Sequence, residues 1–311
     1  MASQDSTNEP QGRSGSDATS GAAEQRVDPT MAAPRPRISL AEALENNWLE
    51  IWYQPKIDLR RKCLAGAEAL ARIHHPQHGL IWPESFLPDV DEDSIGRLTE
   101  LALIATLRNW STFEEAGFNL HLAINIPVGV LVRLAIADLV RDHRPKSESW
   151  PGLILEVTED QIVRDIKLAS EIANELRTSG ITISIDDFGA GYSSFSSLRE
   201  LPFAELKLDS SFVRDCAVDP TNAAICQTAI DLAHRFGSAA VAEGIETAAD
   251  MQSLIVMGCD FGQGVLIAPP MPQQRFLDLL CQRMNKPRAP APAPAPAEAD
   301  AAHAGSIGRV A

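Results

Sequence analysis

The sequence lacks the marks of several large function classes. Its five cysteines (Cys63, Cys216, Cys226, Cys259 and Cys281) are an odd, scattered set without a CxxC pair. That usage fits reduced thiols in the cytoplasm better than a disulfide framework or a zinc site. No apolar run reaches the roughly 20 residues of a membrane span. The N-terminus has no apolar core of a signal peptide, so no secretion is expected. Basic residues are outnumbered: 27 Lys and Arg stand against 42 Asp and Glu, for a net charge of −15. This balance argues against nucleic-acid polymers and membrane surfaces as partners. It leaves room for a small anionic substrate, because bound divalent cations reverse the local sign. A dinucleotide fingerprint is also missing. The nearest approach, Gly189-Ala190-Gly191, lacks the GxGxxG spacing.

What is present is a chain of 311 residues, 45% of them hydrophobic, enough for one large domain or two small ones. Residues 1–37 are rich in Ser, Gly, Ala, Gln and Pro and read as a disordered leader. Residues 286–311 carry an alternating Ala-Pro tract and read as a disordered, extended tail. The folded part is expected at 38–285. Ser39 is expected to cap a first helix through Glu45. Strands are expected at 48–58 and 65–73, too close together for a helical crossover and therefore antiparallel. Strands at 121–126, 153–159, 181–188, 204–209, 238–245 and 261–268 then alternate with helices. Those helices are expected at 94–116, from the fourth strand to Val140, and at 163–179, 222–236, 248–257 and 272–284. Eight strands in such α/β units fit a (β/α)8 barrel with an irregular opening hairpin; an open doubly wound sheet is the alternative.

The central stretch is ITISIDDFGAGYSSFSS, from Ile181 to Ser197. Ile181, Ile183 and Ile185 alternate as in a buried strand, which ends on Asp186 and Asp187. Two carboxylates about 4 Å apart repel by roughly 4 kcal/mol at an effective dielectric near 20. A divalent cation turns that cost into attraction. Asp187 can join Asp186 only if the backbone turns there, a turn expected at Gly189 and Gly191. Other strands also carry a polar residue where Val or Ile is usual: Glu68, Asn125, Glu156, Lys207, Glu243 and Gln263. Most of these positions lie toward strand C-termini, the reactive end of such barrels; Glu68 is the exception, lying mid-segment. Buried charges must pair or bind metal. The oxygen-only set Glu68, Asn125, Glu156, Asp186, Asp187 and Glu243 suits Mg²⁺ or Mn²⁺, with Asp186 the natural bridge between two ions.

The motif series is specific. EALAR at 68–72, YQP at 53–55, AIN at 123–125, LEVTE at 155–159 and DDFGAGYSS at 186–194 occur in order. LKLD at 206–209, VAEGIET at 241–247 and GQG at 262–264 complete the set. With these motifs, residues 46–283 resemble the EAL-domain cyclic di-GMP phosphodiesterases. The resemblance implies a modified (β/α)8 TIM barrel with one antiparallel strand. It implies hydrolysis of cyclic di-GMP to linear pGpG with Mg²⁺ or Mn²⁺. Glu68, Asn125, Glu156, Asp186, Asp187 and Glu243 match its metal ligands, and Glu243 and Lys207 match its catalytic groups. Gln54, Arg72 and Gln263 match substrate contacts. Glu159 matches a residue steadying the loop after Asp187, a loop tied to homodimer formation. Ile73, Pro127, Ser210 and Val265 depart from the usual tryptophan, serine, arginine and tyrosine. The alternative is an inactive receptor or protein-interaction domain on the same fold.

Overall fold

The computed structural model describes residues 38–159, 161, 166–189, 199 and 201–283. The expected leader, the expected tail and most of the loop after Gly189 lie outside these residues. Ten strands form one sheet: β1 Leu49–Asp58, β2 Cys63–His75, β3 Gly79–Ile81, β4 His121–Asn125, β5 Leu153–Thr158, β6 Ile181–Phe188, β7 Glu205–Leu208, β8 Ala239–Ala242, β9 Phe261–Gly262 and β10 Met271–Pro272. Strands β2, β4, β5, β6, β7, β8 and β9 are parallel neighbours in that order. β1 lies antiparallel between β9 and β2 and closes the ring. The result is an eight-stranded barrel with one antiparallel strand, so the open-sheet alternative falls. β3 and β10 are short additions that the sequence did not signal.

Alternation along the strands separates two cores. Leu155, Val157, Ile183, Ile185, Leu206 and Leu208 belong to one large buried apolar cluster and alternate with the site residues Glu156, Asp186 and Lys207 on the same strands. Helices Glu92–Glu115, Ile166–Thr178, Pro220–Arg235 and Gln273–Arg283 surround the barrel. Each buried Leu or Ile contributes on the order of 1.5–3 kcal/mol. Tyr53, Phe113 and Phe276 pack as an aromatic trio with centroids 5.1–5.8 Å apart, joining β1 to the helices beside it.

A second, smaller core lies under the part of the β1–β2 hairpin that overshoots the barrel. It contains Leu40, Leu44, Ile73, Ile81, Phe86 and Leu98. Ile73 is therefore a packing residue of this overhang. The first helix, Leu40–Glu45, has Ser39 as its cap, as expected.

Several boundaries differ from the sequence reading for local reasons. The helix expected at 94–116 begins at Glu92, because the Asp91 side chain accepts from the backbone N–H of Ser94 and caps it. The helix expected from 222 begins at Pro220, capped by Asp219. The helix expected to reach Val140 is two, Val128–Arg133 and Ile136–His143. The strand expected at 261–268 is two residues long. Beyond Gly262 the chain turns at Gly264, where an added Cβ would lie 2.3 Å from backbone atoms of Ile245.

The N-terminal end of the barrel interior holds a buried ion pair absent from the sequence reading. Lys56 Nζ lies 2.6 Å from both carboxylate oxygens of Glu205, and both residues are buried. Removing one partner strands the other charge. Lys56→Met is expected to cost about 3–5 kcal/mol of stability. Urea unfolding of the two proteins checks this, and an unchanged midpoint would refute it.

Candidate active site

One polar side chain comes from each barrel strand or from the residue just beyond its end. Gln54 is on β1, Glu68 on β2, Asn125 on β4, Glu156 on β5, Asp186 on β6 and Lys207 on β7; Glu243 and Gln263 follow β8 and β9. Glu68 is mid-strand only in the long hairpin. Its pairing with β4 spans Gly66 to Ala69, so within the barrel it stands near the C-terminal rim.

Lys207 is the hub. Its side chain is 1% exposed, with Nζ 2.5 Å from Glu243, 2.9 Å from Glu156, 3.2 Å from Asp186 and 3.9 Å from Glu68. Asp209, two residues on, caps the short helix Ser210–Val213. Burial opposes the ammonium charge, but the carboxylates, Glu156 foremost, hold the Lys207 pKa well above its ordinary value. The carboxylates respond unequally. Burial, then the negative charge of Glu68, pushes Glu156 well above the usual carboxylate range. Burial likewise pushes Glu243 up to about 8, against the pull of Lys207. Glu68 goes the other way: burial opposes its charge, yet Lys207 and bonds from Gln263 and Asn125 hold its pKa below the ordinary value.

The amides orient the acids. Gln263 Nε2 donates to Glu68 Oε2 at 2.6 Å and to Glu243 Oε1 at 2.9 Å. Asn125 Nδ2 donates to Glu68 Oε1 at 2.7 Å. That bond uses the amide nitrogen and leaves the Asn125 carbonyl oxygen as an acceptor.

Asp187 reaches the same site through a bulge. Ile185 pairs with Leu206 and Phe188 with Leu208, so β6 carries one more residue than β7. Asp187 takes a left-handed backbone, φ 55°, which Asp tolerates better than most side chains. The turn thus lies at Asp187 itself; Gly189, φ 100°, continues it, and Gly191 lies outside the described residues. Ligand oxygens of Asp186, Asp187 and Glu243 lie within 4.8 Å of one another. Glu68 and Glu156 stand outside that trio and face Lys207. Glu159 Oε2 accepts from Gly189 N at 3.0 Å and ties the bulge to β5. Glu159→Ala is expected to weaken divalent-cation affinity about 10- to 100-fold, read by titrating melting temperature with Mn²⁺. An unchanged midpoint would remove this role.

Gln54 donates to Ala268 O at 3.3 Å and lines a cleft with Glu68, Glu243, Gln263, Ser210 and Val265. Arg72 stands apart from the acids, two pleats beyond Glu68. It is 4% exposed, and its guanidinium lies 4.3 Å from the Trp82 ring centre. The two tryptophans near Arg72, Trp52 and Trp82, went unmarked in the sequence because neither belongs to a motif.

Residues 37–270 match the EAL domain family. MucR of Pseudomonas aeruginosa, named a bifunctional diguanylate cyclase/cyclic di-GMP phosphodiesterase, is 37% identical over 241 residues, 76% of this chain and 35% of MucR. RocR of the same organism, named a cyclic di-GMP phosphodiesterase, is 34% identical over 245 residues, 77% of this chain and 62% of RocR. The chain therefore spans about a third of one relative and under two thirds of the other. The solved structure of the MucR phosphodiesterase with c-di-GMP superposes with a TM-score of 0.69 at 36% identity, covering 76% of this chain and 97% of that one. Klebsiella pneumoniae BlrP1 with manganese and c-di-GMP gives 0.63 at 26%, covering 73% and 56%. With three quarters of its length matched and an eight-stranded barrel closed by one antiparallel strand, the chain belongs to the EAL-domain family.

Proposed function

We propose that this chain is a metal-dependent phosphodiesterase that opens cyclic di-GMP to linear pGpG. The observation that carries the reading is the acid set itself. Five carboxylates share the site with one ammonium, leaving four uncompensated negative charges when all are ionised, the charge of two divalent cations. The donors are all oxygen, which suits Mg²⁺ or Mn²⁺, and BlrP1 was solved with manganese. Glu68, Asn125, Glu156, Asp186, Asp187 and Glu243 would hold the ions. When bound, they would polarise the phosphate and lower the pKa of an attacking water.

The remaining chemistry belongs to side chains. Glu243 accepts the water proton at its carboxylate. Lys207, released from the acids it now bridges, donates toward the charge developing on the phosphate. Gln263 keeps the Glu68 and Glu243 carboxylates in register, while Gln54 and Arg72 contact substrate. A cytoplasmic location and a homodimer belong to the same proposal. No helix among the described residues is long and apolar enough to cross a membrane. Sedimentation showing a monomer at all concentrations would remove the dimer.

The alternative is a receptor that binds without cleaving. It draws on Ser210 and Val265 at the cleft, where the resemblance implies larger side chains. Incubation with cyclic di-GMP and Mg²⁺ or Mn²⁺, followed by chromatography, separates the two. Linear pGpG that vanishes with EDTA supports the enzyme. Intact nucleotide bound in a titration supports the receptor.

A further inference from the structure

The β1–β2 hairpin does not stop at the barrel rim. It continues past the acid centre, where β3 adds a third strand. Glu68, Leu70 and Arg72 share one face of this overhang, because strand side chains alternate. Trp52 is paired with Leu70 and stands diagonally from Arg72. Ile81 is paired with Ile73, so one residue further in the same register Trp82 comes opposite Arg72. Both rings are near the guanidinium carbon, 4.3 Å for Trp82 and 5.9 Å for Trp52. The two tryptophans meet edge to face at 6.2 Å.

This row differs from an ordinary packing cluster in one respect. Arg72 is 4% exposed and Trp52 half-buried, but Trp82 is left 38% exposed. Its backbone is also fixed. Pro83 follows it and restricts the preceding residue to extended geometry, which Trp82 adopts at φ −93°, ψ 158°. A partly open indole on a restricted backbone, backed by a guanidinium, offers a stacking surface. Glu68 and Arg72 lie four residues apart on one strand, roughly 13 Å by the strand rise. That length suits a ligand whose phosphate lies at the acids while a base lies at the overhang.

We infer that Trp82 is a positioning residue that stacks a purine base of the cyclic dinucleotide, with Arg72 on the ring's other side. The inference rests on the proposed substrate. Stacking reads a base's π-face rather than its edge, so Trp82 supplies affinity and leaves the choice of base to other groups.

The test is steady-state hydrolysis of cyclic di-GMP by Trp82→Leu and Trp82→Phe, with melting temperatures for both. Leucine keeps apolar bulk and loses the π-face. Trp82→Leu is expected to raise KM roughly 5- to 150-fold with kcat little changed. Trp82→Phe should recover most of that loss. KM unchanged in both variants overturns the inference while the proposed reaction stands. So does a fall in kcat and melting temperature that phenylalanine does not rescue, the pattern of a structural role. Unaltered protein that neither binds nor cleaves cyclic di-GMP overturns the inference and the proposed reaction together.

Discussion

Lys207→Met is expected to unfold on the order of 10 °C below the unaltered protein when metal is absent, and to lose turnover by about 100- to 1,000-fold when it is present. The first effect follows from the ion pairs. Lys207 is the only cation within 4 Å of Glu68, Glu156, Asp186 and Glu243 among the described contacts. Methionine fills similar volume but carries no charge, leaving the carboxylates to repel one another in a dry interior. Stranding one partner of a buried pair costs about 3–5 kcal/mol, and in a domain of this size each kcal/mol moves the transition by about 2–4 °C. Saturating Mg²⁺ or Mn²⁺ should recover much of the lost stability, because bound cations take over the neutralising role. Calorimetry with EDTA and with metal measures both arms. A variant as stable as the parent in EDTA would show that the ammonium is not the counter-ion that holds this site together.

Glu243→Gln is expected to move stability and activity in opposite directions. Burial and Asp186 disfavour the ionised Glu243, with Lys207 only partly compensating, and its pKa rises to about 8. Glutamine keeps an acceptor for Lys207 and removes the charge. The metal-free variant should therefore be more stable than the parent, while the proposed hydrolysis is expected to fall by about 100- to 10,000-fold if Glu243 is its general base. The pH dependence has a definite sign. Glu243 has a folded pKa above its ordinary value of 4.5. Its contribution to stability is complete below about 4.5 and is lost as pH rises through about 8, since the folded state holds the proton longer. Melting temperature of the metal-free parent should fall across that window, and the variant should show a shallower slope. Parallel slopes, or a variant less stable than the parent at pH 8, would contradict this account.

Both expectations concern groups the sequence displayed openly. Acidic or amide residues inside apolar strands, as in LEVTE or SIDDF, are visible because they break a period-two pattern that burial otherwise enforces. The alternation of strands and helices likewise indicated a barrel, and the short gap between the strands expected at 48–58 and 65–73 marked the antiparallel opening, since so few residues cannot make a helical crossover. Local composition carries this information because strand alternation and short-loop geometry are local properties.

Other features depend on distant residues and had no local signature. The bulge that swings Asp187 beside Asp186 shows only in the register of β6 against β7. The bottom ion pair joins Lys56 to Glu205, 149 residues apart, and each looks like an ordinary surface charge in sequence. Phe261 begins what reads as an apolar strand through Ala268, but the close approach of Ile245 at Gly264 ends it. Trp82 sits between a three-residue strand and a proline, and only the register of β2 with β3 brings it to Arg72. The sequence by itself determined which side chains are available and which strands bear them. Only the tertiary structure decided which of them meet, because closing the barrel sets distances between residues that the chain keeps far apart.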